Sequence, residues 1–277
     1  MNKLFLAILV PSLSAILVSY SQDTQAASFD FTTAEGFTGA PANLNGQNGW
    51  VAPAGSVLVN TDPSKEFVYS AGQQNTYWGG GTFDPTAGAM TFTTDFKFSY
   101  TTAGNGDAFN VIRLGAETTG GDIARIYFRY VESADNYRIR YSTGNGFDRN
   151  LGSSDVFDLS EVGQGAADAQ SDDLRITWTL TRGVTADAWT SAVSLANLSS
   201  GGTIVGLGFG FDTWERTVAV TETFHNDTSI SWGFQTANIT NANILATSAS
   251  VVPEPSSYAL IFSMLTVALI GSRRVRC

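Results

Sequence analysis

Apolar and polar residues alternate with a period of two along several stretches of the chain. The clearest are AMTFTTDFKFSY (89–100), DDLRITWTLTRG (172–183), AWTSAVSLANL (188–198) and TSISWGFQT (228–236). Their apolar positions are Phe92, Phe96, Phe98, Tyr100, Leu174, Ile176, Trp178, Leu180, Trp189, Val193, Leu195, Ile230, Trp232 and Phe234. Because successive side chains of a strand point to opposite faces, this pattern predicts antiparallel strands with one face in a core and the other in water.

Turn signals separate the alternating stretches. They are Asn45-Gly46, Asn48-Gly49, Asn105-Gly106, Asn145-Gly146 and Gly201-Gly202, dipeptides that favour tight turns. No stretch keeps the 3.6-residue period of an amphipathic helix, so helices should be few and short. No fixed repeat length recurs either, which disfavours a propeller or a β-solenoid. We therefore predict an all-β fold, a single antiparallel β-sandwich of about a dozen strands.

The core of this sandwich is predicted from the same alternation. It comprises Phe96, Phe98, Ile176, Trp178, Leu180, Val193, Phe209, Trp232 and Phe234. The alternative fold is a pair of smaller immunoglobulin-like sandwiches. No Pro- or Ser-rich linker occurs between residues 28 and 245, which counts against two domains.

Two stretches carry a resemblance to a known fold family. The opening FDFTTAEGFTGAPANLNGQNGW (29–50) and the later DAFNVIRLGAE (107–117) resemble strands and loops of concanavalin A/laminin G-like domains in exported bacterial proteins. The resemblance is diffuse and includes no diagnostic site motif. It implies that the sandwich is a jelly roll.

The N-terminus has the features of a secretory signal peptide. Lys3 precedes an apolar stretch at residues 4–18, and the small residues Ala26 and Ala27 follow. This order predicts export, with cleavage just after Ala26 or Ala27. Residues 1–27 are therefore assigned to the signal peptide and residues 28–250 to the sandwich.

The C-terminal residues 251–277 have a different character. The apolar run 258–271 is shorter than the about 20 residues that span a bilayer as a helix, and 256–272 reaches only the lower edge of that range. The tail resembles the PEP-CTERM sorting domain, whose parts match Val252, Pro253, Glu254, Pro255 and Ser256, an apolar helix, and Arg273, Arg274 and Arg276. This resemblance implies an exported protein of a Gram-negative bacterium, held transiently in the inner membrane and processed by an exosortase.

Charge and cysteine content restrict the possible partners. The net charge is −10, and the sandwich is more acidic still, because Lys3 and the three tail arginines fall outside it. This balance argues against binding to nucleic acid or to an anionic membrane surface. Cys277 is the single cysteine, so no disulfide can form within the chain.

Candidates for catalysis are few. His225 is the single histidine, and we expect it in a polar loop rather than in a catalytic triad. The carboxylate pairs Asp172 with Asp173 and Asp155 with Asp158 are expected in solvated turns or loops. We therefore predict a protein without catalytic residues. The alternative is a glycan-degrading hydrolase with two carboxylates distant in sequence.

No cofactor is predicted, and a calcium ion held by loop oxygens is the alternative. The candidate ligands are Asn105, Asp107, Asp148 and Asn150. Neither group has the D-x-[DN]-x-[DN]-G spacing of a strong calcium loop, so plain hairpin turns are favoured.

The stretch IARIYFRYVESADNYRIRYSTG (123–144) concentrates positive charge in an acidic chain. It predicts a hairpin that turns near Glu132–Asn136. The candidate ligand face is Arg125, Tyr127, Arg129, Arg138 and Arg140. Guanidinium groups fork onto carboxylates and sulfates, so such a face could bind acidic exopolysaccharide. The alternative is a solvated face whose arginines pair with nearby Asp and Glu.

These expectations combine into one functional hypothesis. The chain is predicted to be an exported surface or matrix protein that binds glycans without modifying them. A purely structural matrix component has the same sequence features and is the alternative.

Overall fold

A computed structural model of the chain describes residues 25–62, 65–70, 74–98, 108–115, 122–131, 136–143, 148–150, 171–204, 214–236 and 243–252. Seventeen strands lie in these ranges, more than the predicted dozen, and three of them are only two residues long. In chain order they are β1 (Ala26–Phe29), β2 (Ala42–Asn43), β3 (Trp50–Val51), β4 (Val57–Asp62), β5 (Lys65–Ser70), β6 (Gln74–Phe83), β7 (Ala89–Lys97), β8 (Ala108–Gly115), β9 (Asp122–Val131), β10 (Asn136–Ser142), β11 (Asp148–Asn150), β12 (Leu174–Thr181), β13 (Trp189–Asn197), β14 (Thr203–Ile204), β15 (Trp214–Val218), β16 (Ile230–Thr236) and β17 (Asn243–Val252).

The strands form two antiparallel sheets. The ten-stranded sheet has the order β14-β13-β12-β7-β17-β5-β4-β2, with β1 also paired to β17 and β15 also paired to β13. The seven-stranded sheet has the order β11-β10-β9-β8-β16-β6-β3. Consecutive strands β5, β6, β7 and β8 alternate between the sheets, as do β15, β16 and β17. The predicted single antiparallel β-sandwich of the jelly-roll kind is confirmed.

The alternative of two smaller sandwiches is wrong. In the ten-stranded sheet β7 pairs with both β12 and β17, so strands from distant parts of the chain share one sheet. The buried apolar residues also form one cluster between the two sheets. Contacts that cross this layer include Phe96 to Phe128, with ring centroids 5.0 Å apart, and Tyr141 to Trp214 at 4.8 Å.

The predicted core is confirmed wherever the structure describes it. Each of its residues is at most 1% exposed: Phe96, Phe98, Ile176, Trp178, Leu180, Val193, Trp232 and Phe234. Phe209 lies outside the described residues. The outward positions of β7 and β12 carry threonines, and the Thr91 and Thr179 hydroxyl oxygens lie 3.2 Å apart across the two strands.

Helices are short, as predicted. α1 spans Glu222–Asn226, and Thr33–Glu35 and Ala186–Ala188 form single 3₁₀ turns. The Thr221 hydroxyl accepts a hydrogen bond from the Phe224 N–H, which satisfies one of the free donors at the start of α1. Among the described residues, no helix has the length and apolar character needed to cross a membrane.

The first and last strands of the sandwich pair with each other. Ala26 is opposite Ser250 in the β1–β17 ladder, and the Val251 N–H donates to the Gln25 carbonyl oxygen. The strands therefore extend slightly beyond the predicted limits of 28 and 250. Residues 1–24 and 253–277, which contain the predicted leader and most of the sorting motif, lie outside the described part.

Candidate ligand-binding site

The predicted arginine hairpin consists of β9 and β10. β10 pairs along its whole length with residues 125–131 of β9, with Arg140 opposite Tyr127 and Ser142 opposite Arg125. The ladder ends at Val131 opposite Asn136, which agrees with the predicted position of the turn. The connecting residues 132–135 lie outside the described part.

One face of this hairpin belongs to the core. The buried residues on it are Ala124, Ile126, Phe128, Ile139 and Tyr141, each at most 2% exposed. Phe128 packs against Phe96 and Phe98 of the opposite sheet, with ring centroids at 5.0 and 6.0 Å. Alternate residues of the same strands must point away from the core, so the arginines stand on a backbone that the core holds in place.

On the outward face, two guanidinium groups lie over the ring of Tyr127. The Cζ atom of Arg125 is 4.9 Å from the ring centroid and that of Arg140 is 5.7 Å from it. Cations over an aromatic ring are attracted by its negative face. The ring is only 5% exposed, whereas both arginines are half-buried. Tyr127 therefore contacts both cations and does not offer a surface for a sugar to stack on.

A third arginine belongs to this face and is absent from the predicted set. Arg113 of β8 is opposite Arg125 and is 8% exposed. A register shift in β8 between Asn110 and Ile112 brings it there. Without that shift, simple alternation would place Arg113 on the face opposite to Asn110, so the sequence pattern contains no signal for it.

The other two predicted arginines are placed only by the backbone register. Arg138 is opposite Arg129, two pairs along the ladder from Arg140 and Tyr127. Their side chains lie outside the described part of the structure.

No protein-family model and no curated protein matches the chain. Solved structures similar to it include the lectin UEA-II in complex with galactose, 13% identical with a TM-score of 0.46, where the match covers 82% of this chain and 98% of the lectin. A lectin from Bauhinia forficata in complex with GalNAc is 11% identical with a TM-score of 0.46, over 83% and 99% of the two chains. A protein of unknown function from Shewanella oneidensis MR-1 is 14% identical with a TM-score of 0.43, over 90% and 96%. All three TM-scores are low, so these likenesses decide nothing about the ligand.

The calcium candidates separate into two groups. Asn105 and Asp107 lie outside the described residues. Asp148 and Asn150 were expected in a hairpin turn, but they lie on strand β11, opposite Ser142 and Arg140. This segment is therefore an extended edge strand and not the predicted turn. In the described ranges, no three metal-ligating side chains come together.

The expectation of a polar loop at His225 is wrong. His225 lies on α1 and is 9% exposed. Its Nδ1 atom accepts a hydrogen bond from Trp189 Nε1 at 3.0 Å, and its carbonyl oxygen accepts from Arg182 Nη2 at 2.9 Å. Because an indole N–H can only donate, Nδ1 carries no proton. The imidazole thus accepts the hydrogen bond that the buried indole N–H of Trp189 donates.

The acidic residues that the structure describes here form hydrogen bonds and ion pairs with side chains of the ten-stranded sheet. Asp172 accepts a hydrogen bond from the Asn197 amide at 2.8 Å, and Asp173 lies 3.5 Å from Lys97. Nearby, Asp95 receives two hydrogen bonds of 2.6 Å from the Arg175 guanidinium. These bonds to the Asp95 carboxylate raise the pKa of Arg175. Asp155 and Asp158 lie outside the described residues.

Proposed function

We propose that the chain is an exported glycan-binding protein of the cell surface or extracellular matrix, without catalytic activity, and that its ligand is an acidic polysaccharide. The observation that carries this proposal is the pair of guanidinium groups held over the buried ring of Tyr127. Guanidinium groups bind carboxylates through two parallel hydrogen bonds, which gives both affinity and geometry. The core behind β9 and β10 supports these side chains, so little ordering is needed when a ligand binds.

The charge of the whole chain makes this binding local. With a net charge of −10, the protein as a whole repels a polyanion. Attraction must therefore come from short-range contacts with the arginine face, which is the outward side of β9 and β10 that carries Arg125 and Arg140. Such contacts weaken as salt is added, because the half-buried cations remain partly accessible to ions.

The binding test compares calorimetric titrations with polygalacturonate and with neutral dextran. We expect binding to polygalacturonate alone, reduced at least about ten-fold in an Arg125→Gln/Arg140→Gln variant, because each lost charge-assisted pair contributes about 1.5–3 kcal/mol. An Arg129→Gln/Arg138→Gln variant tests the other predicted pair.

The matched control is Arg216→Gln. Arg216 is an exposed arginine on β15 of the other sheet, and its Cζ atom lies 6.0 Å from the Trp214 ring centroid. The Arg216→Gln variant should bind polygalacturonate as tightly as the wild type does. Equal polygalacturonate affinity in all four proteins would contradict the proposal. Release of reducing ends from any polymer would instead favour a hydrolase.

We propose further that the C-terminal tail holds the precursor in the inner membrane and is removed by an exosortase near residues 253–256. The order of motif, apolar run and arginines supports this, as does the end of β17 at Val252. Cleavage just beyond that strand would leave intact all the strands that the structure describes. Intact-mass analysis of protein recovered from a host with an exosortase should find no Arg276. A secreted species that still carries Arg276 would exclude processing.

A further inference from the structure

A second group of partly exposed side chains lies on the ten-stranded sheet, away from the arginine face. We propose that Phe67 and Tyr69 of β5, with Leu58 and Asn60 of β4, form a binding site for an uncharged β-1,4-linked sugar chain. This site goes beyond the proposed function, because it neither uses the arginines nor requires a charged ligand.

The β4–β5 hairpin places these four residues together on its outward side. In its ladder Leu58 is opposite Tyr69, and Asn60 is opposite Phe67. Side chains that are directly opposite on one face start about 4.5–5.5 Å apart, so the four form one compact group. The alternate residues of the hairpin hold it to the core and are completely buried: Val57, Val59 and Val68.

The two rings of this group are adjacent and keep part of their surface in water. Phe67 and Tyr69 are both half-buried, whereas Tyr127 on the other sheet is only 5% exposed. The flat face of an aromatic ring carries partial negative charge. The C–H groups on the face of a pyranose carry partial positive charge, so a sugar stacks on such a ring and loses apolar contact with water.

The geometry of the two rings indicates the shape of the chain. Their centroids are 5.3 Å apart, close to the length of one sugar residue in an extended β-1,4-linked chain. Two coplanar rings would suit a flat ribbon, whereas planes tilted by 53° suit a chain whose successive sugars turn. Dextran has no fixed orientation between its sugars, because its α-1,6 linkage is flexible, so it is not expected to bind here either.

Polar groups beside the rings have unused hydrogen-bonding capacity. Asn60 Oδ1 accepts a hydrogen bond from the Asp62 N–H at 3.0 Å, which leaves the Asn60 side-chain N–H groups for a ligand. In the part of the chain that the structure describes, neither these N–H groups nor the Tyr69 hydroxyl has a partner. Apolar walls with a few polar groups are typical of small-molecule sites, and they match a sugar, whose faces are apolar and whose rim is hydroxylated.

The charge around this group indicates an uncharged ligand. None of the four residues carries a charge at neutral pH, and the next pair of the ladder, Asp62 opposite Lys65, has charges of opposite sign. The chain has a net charge of −10, so it repels a polyanion, and the four positions hold no cation to offset that repulsion.

Calorimetric titration of the full chain with xylohexaose and with cellohexaose tests this site. Xylohexaose turns from sugar to sugar, and cellohexaose is flatter. We expect xylohexaose to bind the wild type at least about five-fold more tightly. Phe67→Ala should weaken xylohexaose binding at least about ten-fold, since aromatic contacts dominate such sites. Tyr69→Phe keeps the ring but loses the hydroxyl, so its affinity should fall about two- to ten-fold.

The matched control is Tyr77→Ala. Tyr77 is a half-buried tyrosine of β6 in the other sheet, opposite Val51 and Gly233, and its loss should leave xylohexaose binding unchanged. Thermal unfolding shows whether each variant is folded. If Phe67→Ala is not, Tyr69→Phe decides the result alone.

The outcomes separate this site from the arginine face. If the wild type does not bind xylohexaose, or if the folded Phe67 and Tyr69 variants bind it as tightly as the wild type, the site is wrong and the acidic ligand is unaffected. Equal affinity for the two hexamers overturns the match to a turning chain. If sedimentation shows that the wild type self-associates and Phe67→Ala does not, the group is an interface between copies and the sugar site is wrong.

Discussion

The buried indole N–H groups of Trp178 and Trp189 show how single residues specify this core. Trp178 Nε1 donates to the Ser191 hydroxyl at 2.9 Å, and Trp189 Nε1 donates to His225 Nδ1 at 3.0 Å. A buried donor without an acceptor costs about 1–3 kcal/mol, so each partner matters as much as the ring's shape. The alternation along β12 and β13 predicts that both rings are buried. It does not predict their acceptors, because those depend on which residues the folded chain brings opposite the rings.

Trp178→Ala is expected to lower the free energy of unfolding by about 3–5 kcal/mol, since the indole is completely buried between the sheets. Urea titration followed by circular dichroism measures the change. Val184→Ala, at a side chain that is 93% exposed, is the control and should change stability by less than about 0.5 kcal/mol. A loss under about 1 kcal/mol for the tryptophan variant would contradict its place in the core.

At the scale of strands, period-two alternation predicts faces well and register poorly. The faces of β7, β9, β10, β12 and β13 all agree with the sequence pattern. The bulge in β8 breaks that agreement, because one extra residue moves all later side chains to the opposite face. Arg113 could not be predicted for this reason. The short helix α1 was missed too, since five residues are too few to show a helical period.

A substitution at Gly233 of β16 tests how closely this strand approaches its neighbours β6 and β8. Gly233 lies opposite Arg113 on one side and Tyr77 on the other, and a Cβ atom there would be 2.0 Å from the Thr76 carbonyl oxygen. Gly233→Ala should therefore cost at least about 2–3 kcal/mol, because a main-chain atom would have to move. The midpoint of urea unfolding measures this cost.

The comparison variant for that prediction is Gly81→Ala in the neighbouring strand β6. Its added Cβ would meet the edge of the Trp78 side chain at 3.3 Å, a contact that a small shift of the indole relieves. We expect a change below about 1 kcal/mol. A cost at Gly233 as small as that expected at Gly81 would show that β6 and β16 are less closely packed than the structure indicates.

At the scale of the whole molecule, closure of the sandwich depends on its first strand. β1 covers one edge of β17, and its Phe29 ring lies 5.4 Å from Trp50 and 6.0 Å from Phe37. The sequence assigns only Ser28 and Phe29 of this strand to the sandwich, because Ala26 and Ala27 were expected to belong to the signal peptide. It does not predict that the partner of β1 is the last strand, since pairing between such distant segments depends on the topology of the whole chain.

β1 contributes hydrogen bonds to β17 and the Phe29 ring to the core. Three proteins that begin at Gln25, Ser28 and Asp30 separate these two contributions to stability. Starting at Ser28 removes the pairs of Ala26 and Ala27 with β17 and should cost about 1–2 kcal/mol. Starting at Asp30 also removes Phe29 and should cost about 3–5 kcal/mol more. Differential scanning calorimetry compares the three. If the two shorter proteins are equally stable, the Phe29 ring contributes nothing to the core.

Because β1 and β17 are antiparallel, the start of one lies beside the end of the other, at Ala26 and Ser250. The chain therefore enters and leaves the sandwich at the same place. A mechanical load applied between the two ends would pull β1 away from β17 like a zipper, breaking one hydrogen bond after another. Under a load parallel to the strands, the same hydrogen bonds would bear the force simultaneously and resist it. A load on the C-terminal end alone, balanced by a ligand on the arginine face, would pass from β17 into the other strands and leave the β1–β17 pairing unloaded.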